Sequence, residues 1–193
     1  IEAMMKDMKA LQAGTSHELG QNFSKAFEIQ YSDENNELQH PFQTSWGVST
    51  RLIGMIIMAH GDDKGLQLPP NLAPTQSVLI PIIPNEDSKS VVLETVNNLH
   101  EELRKDYRIK IDDRDNISPG FKFNEWELKG VPLRIEIGPK DVENNSVVFS
   151  RRDGVNGKSS ISIDEISQKL KENLDDIQSN LLETSKNFRK ENT

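Results

Sequence analysis

The sequence predicts a mixed α and β chain in two regions, the second an α/β unit with a mixed sheet and a long closing helix. Three observations carry this. A proline run from Leu68 to Pro74 cannot continue a helix or join a central strand, and so marks a boundary near residue 72. From Thr75 onward short apolar runs alternate with helical periodicity, the pattern of strands connected by right-handed crossovers. From Asp164 onward, Leu170, Leu174, Ile177, Leu181 and Leu182 recur at helical spacing.

In the first region, Lys9 to Thr15 reads as an extended segment feeding a turn at Thr15-Ser16-His17. Gly20 to Phe27 is a short helix with Phe23, Ala26 and Phe27 on one side. Tyr31 to Glu37 is a polar, Asn-rich turn. Pro41 to Val48 is a strand and Thr50 to His60 an apolar helix. Asp62-Asp63-Lys64-Gly65 has turn chemistry.

The second region opens with a buried strand, Ser77 to Ile83. An amphipathic helix follows from Ser88 to Lys105, with Val92, Val96, Leu99 and Leu103 inward. Arg108 to Ile111 is a strand, Pro119 to Leu128 a helix, Pro132 to Ile137 a strand and Pro139 to Glu143 a helical turn. Ser146 to Arg152 and Ser159 to Ile163 are the last strands, and Asp164 is expected to cap the closing helix.

Composition narrows the function classes. No apolar run approaches the ~18 residues of a membrane span. The chain contains no cysteine, which excludes disulfides and thiolate metal sites and fits a reducing cytosol. A net charge of −8 argues against a broad nucleic-acid surface, since phosphate contacts need Lys and Arg. The chain begins with Ile in what reads as the middle of a domain, without a secretory leader, and is expected to be a fragment.

The junction Trp46-Gly47-Val48-Ser49-Thr50-Arg51 holds one arginine where a strand turns into a helix. A guanidinium there can fork two hydrogen bonds onto phosphate oxygens, and the helix N-terminus favours an anion. Solvation or ion pairing is the alternative for such an arginine, and helix capping the alternative for Ser49.

Around it stand QAGTSH (12–17), LGQNFSKAF (19–27), QTSWGVSTRLIG (43–54), HGDDKGL (60–66) and LPPNLAP (68–74). With DDRDNISPGFKFNEWELKGVPLRIEIGPKD (112–141) and FRKENT (188–193), this order resembles the C-terminal part of class II prolyl-tRNA synthetases of the archaeal and eukaryotic type. The resemblance implies two parts. Residues 1–72 would be an α+β piece, the last part of the antiparallel class II catalytic core. Residues 73–193 would be an α/β anticodon-binding domain. Proline would be activated with ATP to prolyl-adenylate and passed to the 3′ end of proline tRNA. Both steps need charge stabilisation and alignment more than proton shuttling.

The resemblance makes Arg51 the motif 3 arginine on the ATP phosphates, with Gln12, Thr15 and Ser49 as further nucleotide contacts. His17, Ser45, Trp46 and Gly47 would line the proline pocket, with Glu18 pointing away from it. Magnesium would arrive with ATP, bound mainly through phosphates. The Asp62-Asp63 pair is read as a structural turn, and no residue is assigned as a metal ligand. Glu127, Arg134, Lys140 and Lys158 would read the two guanines of the proline anticodon. Arginine and lysine donate to guanine O6 and N7, and a carboxylate accepts from N1 and N2. A solvated surface or intradomain ion pairing is the alternative for each, and it leads for Arg151 and Arg152. The complete enzyme is expected to be a cytoplasmic homodimer. This chain lacks motifs 1 and 2 and is not expected to catalyse the reaction unaided. A non-catalytic tRNA-binding or accessory protein built from the same two domains is the alternative.

Overall fold

Glycines and short polar turns cut the first sixty residues into brief strands, whereas long apolar runs after residue 75 build a continuous core. The computed structural model describes residues 1–193, which form two compact units, Ile1–Ala59 and His60–Thr193. The proline run expected as the boundary thus lies inside the second unit. Its carbonyls hold it there: the Arg108 guanidinium donates to Ala73 at 2.8 Å and to Pro70 at 2.9 Å.

In the first unit, β1 (Glu2–Met4) pairs antiparallel with β2 (Ala10–Gln12). β3 (Gly14–Gly20) precedes a one-turn helix, α1 (Asn22–Ala26), and a small hairpin of β4 (Tyr31–Ser32) and β5 (Leu38–Gln39). β6 (Gln43–Val48) returns antiparallel to β3, and α2 (Arg51–His60) leads out. Two expectations change. Thr15-Ser16-His17 is not a turn but mid-strand, because the ladder with β6 runs unbroken from Gly14 to Glu18. Gly20, at φ +55°, ends β3 in a backbone region that favours glycine. The polar turn expected at Tyr31–Glu37 is present but shorter, a hairpin tip after Tyr31–Ser32 pair with β5, held by the Asp33 carboxylate accepting from the Asn35 and Glu37 N–H groups at 2.9 Å. Few side chains of this unit are buried. Met5 is, whereas Phe27, Phe42, Trp46, Val48 and Ile53 are exposed.

In the second unit, β7 (Ser77–Pro81), α3 (Glu86–Leu103), β8 (Ile109–Ile111), α4 (Pro119–Leu128) and β9 (Leu133–Ile137) follow in order. Then come α5 (Pro139–Glu143), β10 (Ser146–Arg151), β11 (Lys158–Ser162), a 3₁₀ turn at Ile163–Glu165 and α6 (Ile166–Glu191). The sheet order is β11-β10-β9-β7-β8, parallel among β8, β7 and β9 and antiparallel beyond, so the sheet is mixed as predicted.

Strand alternation gives the sheet two unlike faces. One turns Leu79, Ile135, Ile137, Val147 and Phe149 into the main core with α3 and α6. On the other, Val78 and Ile80 pack with Phe123 and Trp126 of α4, beside Arg134, Glu136 and Ser150. Each fully buried Leu, Ile or Phe contributes on the order of 1.5–3 kcal/mol, so the first face dominates stability.

The sequence places the bounds of α4 and α5 where they are found, since a proline opens each helix. The closing helix differs at two points. Asp164 does not cap it; the chain enters through the 3₁₀ turn, and the Asp164 carboxylate accepts from Asn145 Nδ2 at 3.0 Å. Leu182 is exposed rather than inward: one residue past Leu181 rotates about 100° off the stripe of Leu170, Leu174, Ile177 and Leu181.

Candidate functional site

In the first unit the β3–β6 register sorts the predicted residues. Thr15 faces Gly47 and His17 faces Ser45, and these four share one side of the ladder. Ser16 faces Trp46 and Glu18 faces Thr44 on the other side. Glu18 therefore lies on the opposite face of the ladder from His17. Trp46 is 81% exposed and shares a face with Ser16 and Glu18, not with His17, Ser45 and Gly47. Gly47 makes room for its neighbour: a Cβ there would lie 3.1 Å from Thr15 Oγ1.

Arg51, the first residue of α2, reaches back to β2. Its Nη1 donates to Gln12 Oε1 at 3.3 Å, which brings the two together across 39 residues of sequence. The Ser49 hydroxyl accepts the Arg51 N–H at 3.3 Å, the capping role that was its alternative. Arg51, Gln12, Ser49 and His17 are all exposed.

The second unit gathers three of its four candidates around a cleft of about 210 Å³ lined by Glu127, Arg134, Lys158, Trp126, Ser150 and Arg152 among others. A row crosses the polar sheet face: Val78 on β7 faces Arg134 on β9, which faces Ser150 on β10, which faces Lys158 on β11. Arg134 donates from Nε to Glu136 Oε1 and from Nη2 to Ser150 Oγ, both at 3.0 Å. Its guanidinium carbon lies 4.2 Å from the centre of the Phe123 ring, a cation–π stack. Lys158 Nζ donates to Glu136 Oε2 at 2.6 Å and lies 5.3 Å over the same ring. Glu127, one helical turn after Phe123, forms a 3.4 Å ion pair with Lys64. Lys140 is not brought to this cleft. It is exposed on α5 and lines a separate groove with Ile82, Val91, Val142 and Val148.

The neighbouring charges are committed to structure. Arg152 grips Asp62 with both Nη atoms, at 2.6 and 3.0 Å, and donates from Nε to the Glu127 carbonyl at 3.0 Å. This pairing holds the Asp62 carboxyl well below the usual carboxylate range. Asp62 and Gly65 also exchange two backbone hydrogen bonds at 3.0 Å, so this stretch is a structural turn. Arg151 is paired with Asp153 and Asp176. Buried Asp112 accepts from Arg114 Nε and Nη2 and from Trp126 Nε1, each at 2.7 Å, and its carboxyl is lowered to about 2, first by Arg114. The buried Lys122 ammonium donates to the Asp112 carbonyl at 3.1 Å, so α4 is fastened to the end of β8.

Glu136, Phe123 and Ser150 were not among the predicted site residues. Two signals pointed to them: Glu136 follows Arg134 by two along a strand, and Phe123 precedes Glu127 by four on a helix. Ser150 carries no such mark, because its part comes from the β9–β10 register.

The second unit is a mixed sheet with α3 and α6 on its apolar face and a cleft of paired charges on the other. Residues 76–173 match the family described as "Anticodon binding domain", and the chain belongs to that family. Along its whole length it is 55% identical to a proline–tRNA ligase of Alkaliphilus oremlandii (strain OhILAs), covering 39% of that protein. Against the proline–tRNA ligases of Roseiflexus sp. (strain RS-1) and Natranaerobius thermophilus the identities are 56% and 53%, again over the whole chain, covering 41% and 40% of those proteins. The chain thus spans about two fifths of the length of the curated relatives it matches.

Proposed function

We propose that this chain is the part of a class II proline–tRNA ligase, of the archaeal and eukaryotic type, that carries motif 3 and reads the anticodon. The observation that carries the proposal is the identity of 55% along all 193 residues to a proline–tRNA ligase. The full activity is ATP-dependent formation of prolyl-adenylate and transfer of proline to the 3′ end of proline tRNA. Function divides near residue 72, with nucleotide and proline residues before it and anticodon residues after it.

In this reading Arg51, Gln12, Thr15 and Ser49 hold ATP, with Arg51 neutralising phosphate charge. The Gln12–Arg51 hydrogen bond supports a shared ligand for the two. The donor set has a cation and neutral groups but no carboxylate, which suits a polyphosphate whose Mg²⁺ is held mainly by its own oxygens. His17, Ser45 and Gly47 form the proline side, supported by their common face of the β3–β6 ladder. Trp46 reaches proline only from the opposite face or a ladder edge. Glu127, Arg134 and Lys158 read the two anticodon guanines, and Lys140 adds a charge beside them. The complete enzyme is a cytoplasmic homodimer; no helix of this chain is long and apolar enough to cross a membrane.

The direct test is binding of the 193-residue chain to proline tRNA at low and moderate salt, against the same tRNA with both anticodon guanines changed. Tighter binding to the unchanged tRNA, lost in Arg134→Ala, is expected. Equal binding to both tRNAs by a folded chain would overturn the anticodon assignment.

A further inference from the structure

We infer that Glu136 is the positioning residue of the cleft, fixing Arg134 and Lys158 in the one geometry that distinguishes guanine from other bases. The inference rests on the anticodon-reading proposal above. Glu136 is 7% exposed, and each of its carboxylate oxygens serves a different cation, Oε1 the Arg134 Nε and Oε2 the Lys158 Nζ. Ser150 takes the Arg134 Nη2, and the Phe123 ring supports the guanidinium plane from below. Arg134 is thereby locked with its Nη1 edge uncommitted, the edge that can donate to a base.

A carboxylate between two cations is a poor arrangement for attracting phosphate, because it halves the net positive charge of the trio. It is a good arrangement for reading a base, where the angle of a planar donor decides between one base edge and another. The sheet makes it unavoidable: Glu136 lies two residues beyond Arg134 on β9, hence on the same face, and Arg134, Ser150 and Lys158 form one cross-strand row.

The test uses the 193-residue chain and an anticodon stem-loop RNA of proline tRNA, with a copy carrying adenine for both guanines. Wild type and Glu136→Gln are compared by the ratio of the two dissociation constants and by the salt dependence of each, with far-ultraviolet circular dichroism as the folding control. Glu136→Gln keeps volume and removes the charge that orders both cations. The expected result is a guanine preference reduced about tenfold, with the salt slope unchanged or steeper. An unchanged preference, or both RNAs shifted by the same factor, would overturn the inference while leaving the anticodon assignment standing. If Glu136→Gln fails to fold, Glu136→Asp keeps the charge but shortens the side chain that spans Arg134 Nε and Lys158 Nζ. It should reduce the preference in the same direction, and an unchanged ratio overturns the inference. A wild-type chain with no guanine preference would remove the anticodon reading and this inference with it.

Discussion

Arg152 and Asp62, 90 residues apart in sequence, meet in a two-bonded ion pair that fastens the segment after α2 to the wall of the cleft around Arg134. The same guanidinium donates to the Glu127 carbonyl, and the fastened segment carries Lys64, which pairs with the Glu127 carboxylate. Backbone bonds from Leu66 N–H to the Leu128 carbonyl and from Leu68 N–H to the Gly130 carbonyl complete the join. Close approach there requires glycine: a Cβ on Gly130 would sit 2.5 Å from Leu66 Cβ, and one on Gly65 would sit 2.6 Å from the Leu128 oxygen.

Replacing Arg152 with alanine should therefore loosen this segment. The Arg152 side chain is 4% exposed and that of Asp62 36%, so the loss should be about 2 kcal/mol, below that of a fully buried pair. Because Asp62 is held below the ordinary carboxylate range, the pair's contribution is present above about pH 4 and disappears as pH falls below it. Urea unfolding of wild type and Arg152→Ala should differ at pH 7 and converge in acid. Amide exchange at Leu66 and Leu68 should accelerate in the variant even where global unfolding does not.

Asp112 offers a second acid-sensitive bond, to Trp126 of α4 and to Arg114. Its folded carboxyl stands at about 2 against an ordinary value near 3.8, so it contributes about 2 kcal/mol at neutral pH. The sign is that of a depressed acid: stability is full above about pH 4 and is lost as pH falls toward about 2. Asp112→Asn should lower the urea midpoint at pH 7 and approach wild type near pH 2. A constant difference across that range would mean that packing, not charge, holds α4.

How far these features were legible in the sequence depends on the reach of each signal. Pro119 and Pro139 mark helix starts locally, so α4 and α5 stand where the sequence puts them. The alternation that separates Trp46 from Ser45 and Gly47 is also local, but that Ser45 and Gly47 share their face with His17 and Thr15 is not, because it depends on the β3–β6 ladder. Arg152–Asp62 leaves no local trace, because it exists only after two distant segments dock. Arg114 was hidden for the opposite reason: in an Asp-rich run nothing shows that the Asp112 oxygens will also meet Trp126 from the next helix.

The two units should differ sharply in opening free energy. Core strands β7, β9 and β10 present Leu79, Ile135 and Phe149 at 0–1% exposure between α3 and α6. In the first unit α2 buries no residue, and β6 leaves Trp46 and Val48 at 81% and 77% exposure. Local stability follows buried apolar contact, so amides of β7 and β9 should exchange only through global unfolding and those of β3 and β6 through smaller openings. Hydrogen exchange followed by mass spectrometry reads this directly. Ile135→Ala, by leaving a cavity, should cost about 2–5 kcal/mol and accelerate the slow class, with no effect on β3 and β6 exchange.

Arg134 and Lys140 should separate specificity from charge. Arg134 is oriented by Glu136, Ser150 and the Phe123 ring, and a lysine there keeps the charge but lacks the planar fork to use those anchors. Arg134→Lys should keep the salt dependence of RNA binding and lose most of the guanine preference, by about 1–3 kcal/mol. Lys140 is exposed and lies outside the cleft, so in the proposed reading it would act on RNA as a point charge. Lys140→Ala should weaken guanine and adenine stem-loops equally and lower the slope of log affinity against log salt by about 0.7. If Lys140→Ala instead removes the guanine preference, Lys140 reaches a base edge, and the bound RNA must cross from the cleft into the neighbouring groove past Glu136, which borders that groove. If Arg134→Lys leaves the preference intact, the fork geometry is not what reads the base, and the carboxylate of Glu127 becomes the stronger candidate.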